Sequence, residues 1–153
     1  MTTEIPLDNP QRHTSTLAAT PKGACLCRAI ARRQLGLWGV DSTFGEPFHS
    51  ALIIVAELAS NAIRHGRVAG RGFELHLCLT TLVRRGATLR IEISDCRGDR
   101  LPVLSTLPAA RTSGAQSGRG LVLIDALADR WGTVPRHPNA KTVWAELDLA
   151  DAR

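Results

Sequence analysis

The chain of 153 residues has few aromatic side chains and very few lysines. Aromatic residues make up 4% of the sequence, and all cations except Lys22 and Lys141 are arginines. The net charge of +5 would suit a nucleic acid. However, the arginines are scattered, and no aromatic residues alternate with them to stack on bases. This composition disfavours direct nucleic-acid binding and suits a nucleotide and an acidic protein partner equally well.

Absent segments and motifs exclude several other classes of protein. No run of about 18 apolar residues could span a bilayer, and Glu4 and Asp8 lie where a signal peptide would have its apolar core. We therefore expect a cytoplasmic protein without membrane contact. Neither lysine lies in a Walker A loop, and the third glycine of a Rossmann fingerprint does not follow Gly118 and Gly120.

The four cysteines are expected to be reduced thiols. Cys25 and Cys27 lie on a predicted helix, where residues two apart point in different directions. No second pair of cysteines or histidines completes a set of four zinc ligands. Free thiols in a reducing compartment are therefore favoured over a metal site or disulfides.

Hydrophobic periodicity predicts a single domain over residues 12–153, preceded by a flexible tail over residues 1–11. Strands are predicted at 12–18, 73–80, 88–95, 131–134 and 142–149, and helices at 22–37, from 46 to about 66, and from 118 onwards. These elements predict an α/β fold, a two-layer sandwich with a mixed, mostly antiparallel sheet and three helices on one face. The other face of the sheet is a candidate contact surface. Residues 97–117 contain prolines and glycines with little periodicity, which is typical of a functional or disordered loop.

The second predicted helix carries a narrow polar stripe. Glu57, Asn61 and Arg64 follow at i, i+4 and i+7, and apolar residues cover most of the remaining circumference. A buried carboxylate beside a carboxamide is costly unless both are paired. A hydrated divalent cation and a phosphate chain would pair with both. The alternative is a polar stripe that simply faces water.

Two later segments favour a ligand over the solvated stripe. The strand at 88–95 has an apolar row that Asp95 continues, so a carboxylate ends a core-facing row. Further along, Gly118 and Gly120 open an apolar helix, with Ser117 as the predicted N-cap. Backbone amides at a helix N-terminus bind anions, and glycine lets a phosphate approach them closely.

These three segments resemble, in order and spacing, the N, G1 and G2 boxes of the GHKL (histidine kinase/HSP90-like) ATPase superfamily. The matching residues are Glu57-x-x-x-Asn61 with His65-Gly66, then Asp95 with Gly98, then Gly118-x-Gly120-Leu121. The chain is most similar to the stand-alone anti-sigma-factor serine/threonine kinases of bacteria, over roughly residues 12–149. One departure is that the first glycine box, often Asp-x-Gly-x-Gly, reads Asp95-Cys-Arg-Gly98 here.

The resemblance implies a Bergerat-type ATP-binding fold that uses ATP and Mg²⁺. It implies that Asn61 binds the metal, that Glu57 is the catalytic general base, and that Asp95 accepts a hydrogen bond from the adenine amine. Residues 97–117 would be the lid over the nucleotide. The implied ATP-binding residues are Asn61, Arg64, His65, Asp95, Gly98, Gly118, Arg119, Gly120, Leu121 and Thr142.

The resemblance also implies a regulator that binds a sigma factor and phosphorylates a serine on an anti-sigma antagonist; a homodimer is left open. A non-catalytic ATP-dependent protein-binding module is one alternative. A detached histidine-kinase catalytic domain is another, disfavoured because no helix with a phosphoacceptor histidine precedes the domain in this sequence. Structural alternatives remain for individual residues. Asn61 could bond between helices, Asp95 could cap the next turn, and His65 could cap its own helix.

Overall fold

The computed structural model describes residues 9–65, 68–82, 86–96 and 116–149, which form one sheet covered by one layer of helices. In chain order the elements are β1 (Gln11–Leu17), α1 (Pro21–Leu37), a short 3₁₀ helix (Ser42–Phe44), α2 (Glu46–His65), β2 (Phe73–Leu82), β3 (Gly86–Asp95), α3 (Gln116–Leu127), β4 (Arg130–Arg136) and β5 (Ala140–Leu149). The predicted two-layer α/β sandwich with three helices is confirmed, and each predicted strand and helix lies within a few residues of its expected position.

The described strands form a five-stranded sheet in the order β1-β2-β3-β5-β4. Every pairing in it is antiparallel, so the described sheet contains no parallel pair. β3 is the central strand, and its core-facing residues lie directly opposite those of β5. The last such pair in the register is Asp95 with Lys141. Two neighbouring core-facing rows therefore both end in a charged residue at the same end of the sheet.

Helix α2 forms the centre of the helix layer and packs against both other helices, β3 and β5. Ile54, Val55 and Leu58 are almost completely buried against the sheet side of the core. Glu46 lies in the first turn and two basic residues lie in the last turn, which agrees with the sign of the helix dipole at each end. Among the described residues, no helix is both long and apolar enough to cross a membrane.

Helix α1 begins where the sequence supplies a cap. The Thr20 hydroxyl accepts a hydrogen bond from the Gly23 amide at 3.1 Å, and Pro21 occupies the first turn, where it costs no hydrogen bond. Cys25 is exposed and Cys27 is buried, so the two thiols point apart as predicted. Burial raises the pKa of the Cys27 thiol to about 12, which leaves it protonated and unreactive at neutral pH.

The start of α3 differs from the sequence prediction. The helix begins at Gln116, so Ser117 lies inside the first turn and the prediction that it caps the helix is wrong. Glutamine has a better helix propensity than serine or glycine, which favours extending the helix through it. Most of the predicted lid, residues 97–115, and residues 1–8 of the predicted tail lie outside the described residues.

The sheet face opposite the helices is covered by paired charges and one tryptophan. The Arg90 guanidinium lies 4.2 Å from the centre of the Trp144 ring, and a side chain at Gly132 would meet that ring at 3.0 Å. Arg130 donates hydrogen bonds to Asp148 at 2.6 Å and to Glu146 at 3.0 Å, and these bonds raise the pKa of Arg130 further above its ordinary value. The prediction that this face is a contact surface stays a prediction.

Candidate functional site

The polar stripe of α2 lies at the boundary between the buried and exposed parts of the helix. Glu57 and Asn61 are half-buried, whereas Arg64, one turn further on, is exposed. Leu58, Ala59 and Ala62 beside them belong to the buried core. The stripe therefore does not face water along its whole length, as the solvated alternative required. Its first two members face a neighbouring helix instead.

The neighbouring helix is α3, and its Gly120 lies directly against the polar stripe. A Cβ atom placed on Gly120 would be 2.9 Å from Oε2 of Glu57 and 3.3 Å from Oδ1 of Asn61. A carbon atom cannot sit 2.9 Å from a carboxylate oxygen without something moving, so only glycine fits the observed arrangement. The structure thus brings together the residues predicted from the first and third sequence motifs, which are 63 positions apart between Glu57 and Gly120.

Asn61 has an unfilled hydrogen-bonding capacity at this contact. Its Nδ2 atom is buried and has no hydrogen-bond partner among the described residues. A buried amide donor without an acceptor destabilises a folded protein by roughly 1–3 kcal/mol, and such groups are rare in native structures. An acceptor supplied by a ligand would satisfy it. This observation speaks against the alternative that Asn61 is only a hydrogen-bonding link between helices.

The second polar cluster joins the ends of β3 and β5. Nζ of Lys141 lies 3.1 Å from each carboxylate oxygen of Asp95, and both side chains are only 4% exposed. The predicted acid at the end of the core-facing row is therefore present and buried. It is held by a lysine that the sequence motifs did not single out. A signal for this residue existed, because Lys141 extends the row of Val143 and Ala145 as Asp95 extends the row of Ile91 and Ile93.

Thr142 does not share this position. It pairs with Ser94 across the two strands, so its side chain points to the opposite face of the sheet from Asp95. Its hydroxyl lies 2.7 Å from the Ser94 hydroxyl and accepts a bond from Nε of Arg136 at 3.2 Å. The alternation of β5 places Lys141, and not Thr142, opposite Asp95. The assignment of Thr142 to the ATP site stays a prediction.

The structure describes the positions of some of the other predicted site residues, but not of all of them. His65 is half-buried at the end of α2, and Leu121 is 2% exposed and packs in the core. Gly118 lies in the first turn of α3, where its amide belongs to the helix N-terminus. Gly98 and the side chain of Arg119 lie outside the described part of the structure.

Within the described residues, no group of three or more His, Cys, Asp or Glu side chains could together hold a metal ion. A magnesium ion with a nucleotide needs no such group. It usually keeps several waters and takes one or two protein oxygens together with oxygens of the phosphates. Asn61 Oδ1 and the Glu57 carboxylate are oxygen donors of this kind.

The comparison with protein families agrees with the geometry. The histidine kinase-like ATPase domain family matches residues 17–147, which is most of the chain and includes both polar clusters. The chain therefore belongs to this family of ATPase domains. None of the curated proteins compared with the chain matches it.

Among solved structures, the fold is similar to a crystal structure of the RsbU and RsbW domains of a protein from Mycobacterium tuberculosis. The TM-score is 0.66 with 18% sequence identity, over 92% of this chain and 33% of that one. This chain thus spans about one third of the length of the protein it resembles. At this identity the likeness establishes the shared fold.

Proposed function

We propose that the chain binds Mg·ATP at the contact between α2 and α3 and acts as an ATP-dependent serine/threonine protein kinase of the anti-sigma-factor type. Its partners would be a sigma factor and an anti-sigma antagonist that is phosphorylated on serine. The observation that carries this proposal is the contact of Gly120 with Glu57 and Asn61. The sequence resemblance to anti-sigma-factor kinases and the likeness in fold to a structure containing an RsbW domain support the choice of partners.

The residues present fit a magnesium nucleotide. Asn61 offers a neutral oxygen that adds no negative charge beside a triphosphate, and its buried Nδ2 lacks the acceptor that a phosphate oxygen would provide. Glycines at 118 and 120 would leave the first-turn amides of α3 open to the phosphates. Asp95 would accept a hydrogen bond from the adenine amine. Bound Mg·ATP would supply the transferable phosphoryl group and the positive charge that offsets its negative oxygens.

Glu57 would take the proton of the attacking hydroxyl. The Glu57 side chain is half-buried, and its Oε2 would lie 2.9 Å from a Cβ placed on Gly120. Glu57 lies one turn of α2 before Asn61, the proposed metal ligand. When the serine oxygen forms its bond to phosphorus and the bond to the ADP oxygen breaks, the serine proton must go to a base. The Glu57 carboxylate would serve that role if the phosphates bind beside Gly120.

The test of this proposal compares wild type with Glu57→Ala. The variant should retain Mg·ATP affinity but lose phosphoryl transfer by a factor on the order of 10² to 10⁴, the typical contribution of a general base. Binding would be measured by calorimetry and transfer with radiolabelled ATP, using a protein captured by pull-down as the acceptor. Equal transfer rates in the two proteins would refute the base assignment.

Two further outcomes separate the alternative functions. Wild type that binds Mg·ATP and its partner without transferring phosphate would establish a non-catalytic binding module, an outcome to which the unusual Asp95-to-Gly98 segment is suited. Transfer to histidine gives an acid-labile product, whereas phosphoserine survives acid. An acid-labile product would therefore support a histidine-kinase catalytic domain instead.

A further inference from the structure

The C-terminal end of α3 is attached to the sheet by hydrogen bonds. The indole Nε1 of Trp131 on β4 donates to Oδ1 of Asp125 on the helix at 2.8 Å. In the turn after the helix, the Asp129 amide donates to the Glu146 carbonyl oxygen at 2.9 Å, and the Asp129 carboxylate accepts a bond from the Asp148 amide at 2.7 Å. Both β4 and β5 therefore hold this end of the helix.

The opposite end of the helix makes the contact with α2. A Cβ atom placed on Gly120 there would lie 2.9 Å from Oε2 of Glu57 and 3.3 Å from Oδ1 of Asn61. Gly120 precedes Ala128 by eight positions, or about 12 Å of helix, so a tilt of only about 5° would move Gly120 by about 1 Å. The position of this glycine therefore depends on how firmly the far end of the helix is held.

Asp125 is the only residue with a polar side chain in the segment 120–127. The buried Leu121 and Ile124 hold α3 against the core, but apolar contacts have no preferred direction, so they restrict its depth more than its tilt. A hydrogen bond has a preferred distance and angle. Trp131 is a fixed donor, because its ring packs against the core and its backbone pairs with β5. The bond between Trp131 and Asp125 is thus a directional link from this segment of the helix to the sheet.

We propose that Asp125 and Trp131 are positioning residues whose hydrogen bond sets the tilt of α3, and with it the position of Gly120 in the proposed nucleotide site. This inference rests on the proposed ATP site, and neither residue is expected to contact the nucleotide. Without the bond, the helix would sample tilts in which its first-turn amides do not face the phosphates. The apparent affinity for Mg·ATP would then fall in proportion to the fraction of molecules that have the competent tilt.

The test measures Mg·ATP affinity by calorimetry and stability by urea unfolding. Trp131→Phe keeps an aromatic ring but removes the donor, Asp125→Ala removes the acceptor, and Asp125→Asn keeps an oxygen that can accept the bond. The double variant of Trp131→Phe with Asp125→Ala shows whether the two residues act through one interaction. Trp144→Phe is the matched control, because Trp144 is also half-buried but lies on the opposite face of the sheet.

We expect Trp131→Phe and Asp125→Ala each to weaken Mg·ATP binding by about threefold to tenfold, the loss to which one hydrogen bond corresponds. The double variant should bind within about twofold of the weaker single variant. Asp125→Asn and Trp144→Phe should bind within about twofold of wild type. Asp125 is exposed and alanine is a good helix former, so Asp125→Ala keeps the test valid even if Trp131→Phe does not fold.

Three results would contradict the inference. Unchanged Mg·ATP affinity in both single variants, whether or not stability falls, would show that the bond has no part in the site. A loss in the double variant equal to the product of the two single losses would show that the residues act separately. A loss in Asp125→Asn as large as in Asp125→Ala would show that the charge matters and the hydrogen bond does not. Wild type that does not bind Mg·ATP would instead overturn the proposed function, and this inference with it.

Discussion

Replacing Gly120 with alanine should separate folding stability from function. The added Cβ would lie 2.9 Å from Oε2 of Glu57 and 3.3 Å from Oδ1 of Asn61. Alanine is favoured over glycine within a helix by about 0.8–1 kcal/mol. Against this, the end of the Glu57 side chain must move, and an off-rotamer side chain costs of order 0.5–1.5 kcal/mol. The two effects are similar in size, so the free energy of unfolding should stay within about 1 kcal/mol of wild type.

Function should respond much more strongly. The atom that must move is the carboxylate oxygen proposed to accept the serine proton, and a displacement of about 1 Å at a reacting group can cost about 10²-fold in rate. The same methyl group would narrow the space beside the Asn61 carboxamide. We therefore expect phosphoryl transfer to fall by at least about 10²-fold, and Mg·ATP affinity to fall as well, in a protein that is as stable as wild type.

Two other glycines provide controls for the steric argument. A Cβ on Gly36 of α1 meets nothing within 4 Å, so Gly36→Ala should be neutral or slightly stabilising and leave nucleotide binding unchanged. A Cβ on Gly23 would lie 1.8 Å from the Ala18 carbonyl oxygen, which belongs to the backbone and cannot rotate away. Gly23→Ala should therefore be strongly destabilising. Urea unfolding and calorimetry with Mg·ATP measure both quantities for each variant.

Either of two results would exclude Gly120 from the nucleotide site. If Gly120→Ala unfolds as readily as Gly23→Ala, the contact is rigid packing and not a ligand cradle. If Gly120→Ala binds Mg·ATP and transfers phosphate like wild type, the contact has no part in the site.

Two further predictions follow from buried groups. Asn61→Ala should abolish the difference between the ATP affinities measured by calorimetry with and without Mg²⁺. Because it removes a buried donor that has no described partner, it should lower the free energy of unfolding by no more than about 1 kcal/mol. An unchanged Mg²⁺ dependence would exclude Asn61 as the metal ligand. The pKa of Cys27 is raised by burial from 9.0 to about 12, so between these values the unfolded chain loses a proton that the folded chain keeps. Stability should therefore fall as pH rises from about 9 to 12, and urea titrations should show that Cys27→Ala reduces this slope, whereas Cys25→Ala, at an exposed position, should not.

The sequence predicted the fold well where periodicity is strong. β2 and β3 alternate between buried and half-exposed residues along most of their length, and α2 combines an apolar circumference with a polar stripe. Such patterns are set by burial, which is what a hydrophobic period reports. The start of α3 was predicted less well, because Ser117 has the chemistry of a cap but the helix already includes Gln116.

The residues that the candidate site brings together were named from the sequence in part, and the missing part has a physical reason. Glu57, Asn61 and Gly120 could be named because each lies in a recognisable motif. The alternation of β5 placed Lys141 on the core-facing row, but a lysine at the end of a strand usually reaches solvent, so the sequence alone did not predict its burial. Its burial depends on the register of β3 against β5, which pairs it with Asp95 across 46 residues of sequence. A shift of one residue would have placed Thr142 there instead.

The two polar clusters differ in how completely the folded chain pairs their charges and hydrogen-bonding groups, and this difference distinguishes their proposed roles. Asp95 and Lys141 satisfy each other's charge, so that cluster is fixed before any ligand arrives. The Asn61 amide keeps a buried donor without a partner beside a glycine that leaves room for one. An acceptor held in one orientation is suited to discriminating between bases, because it does not reorient to pair with a base that does not match it. An unsatisfied donor is suited to binding, because the free energy it costs the folded chain is recovered only when a ligand supplies the acceptor. Base selection is thus expected from the strand ends, and phosphate binding from the contact between α2 and α3.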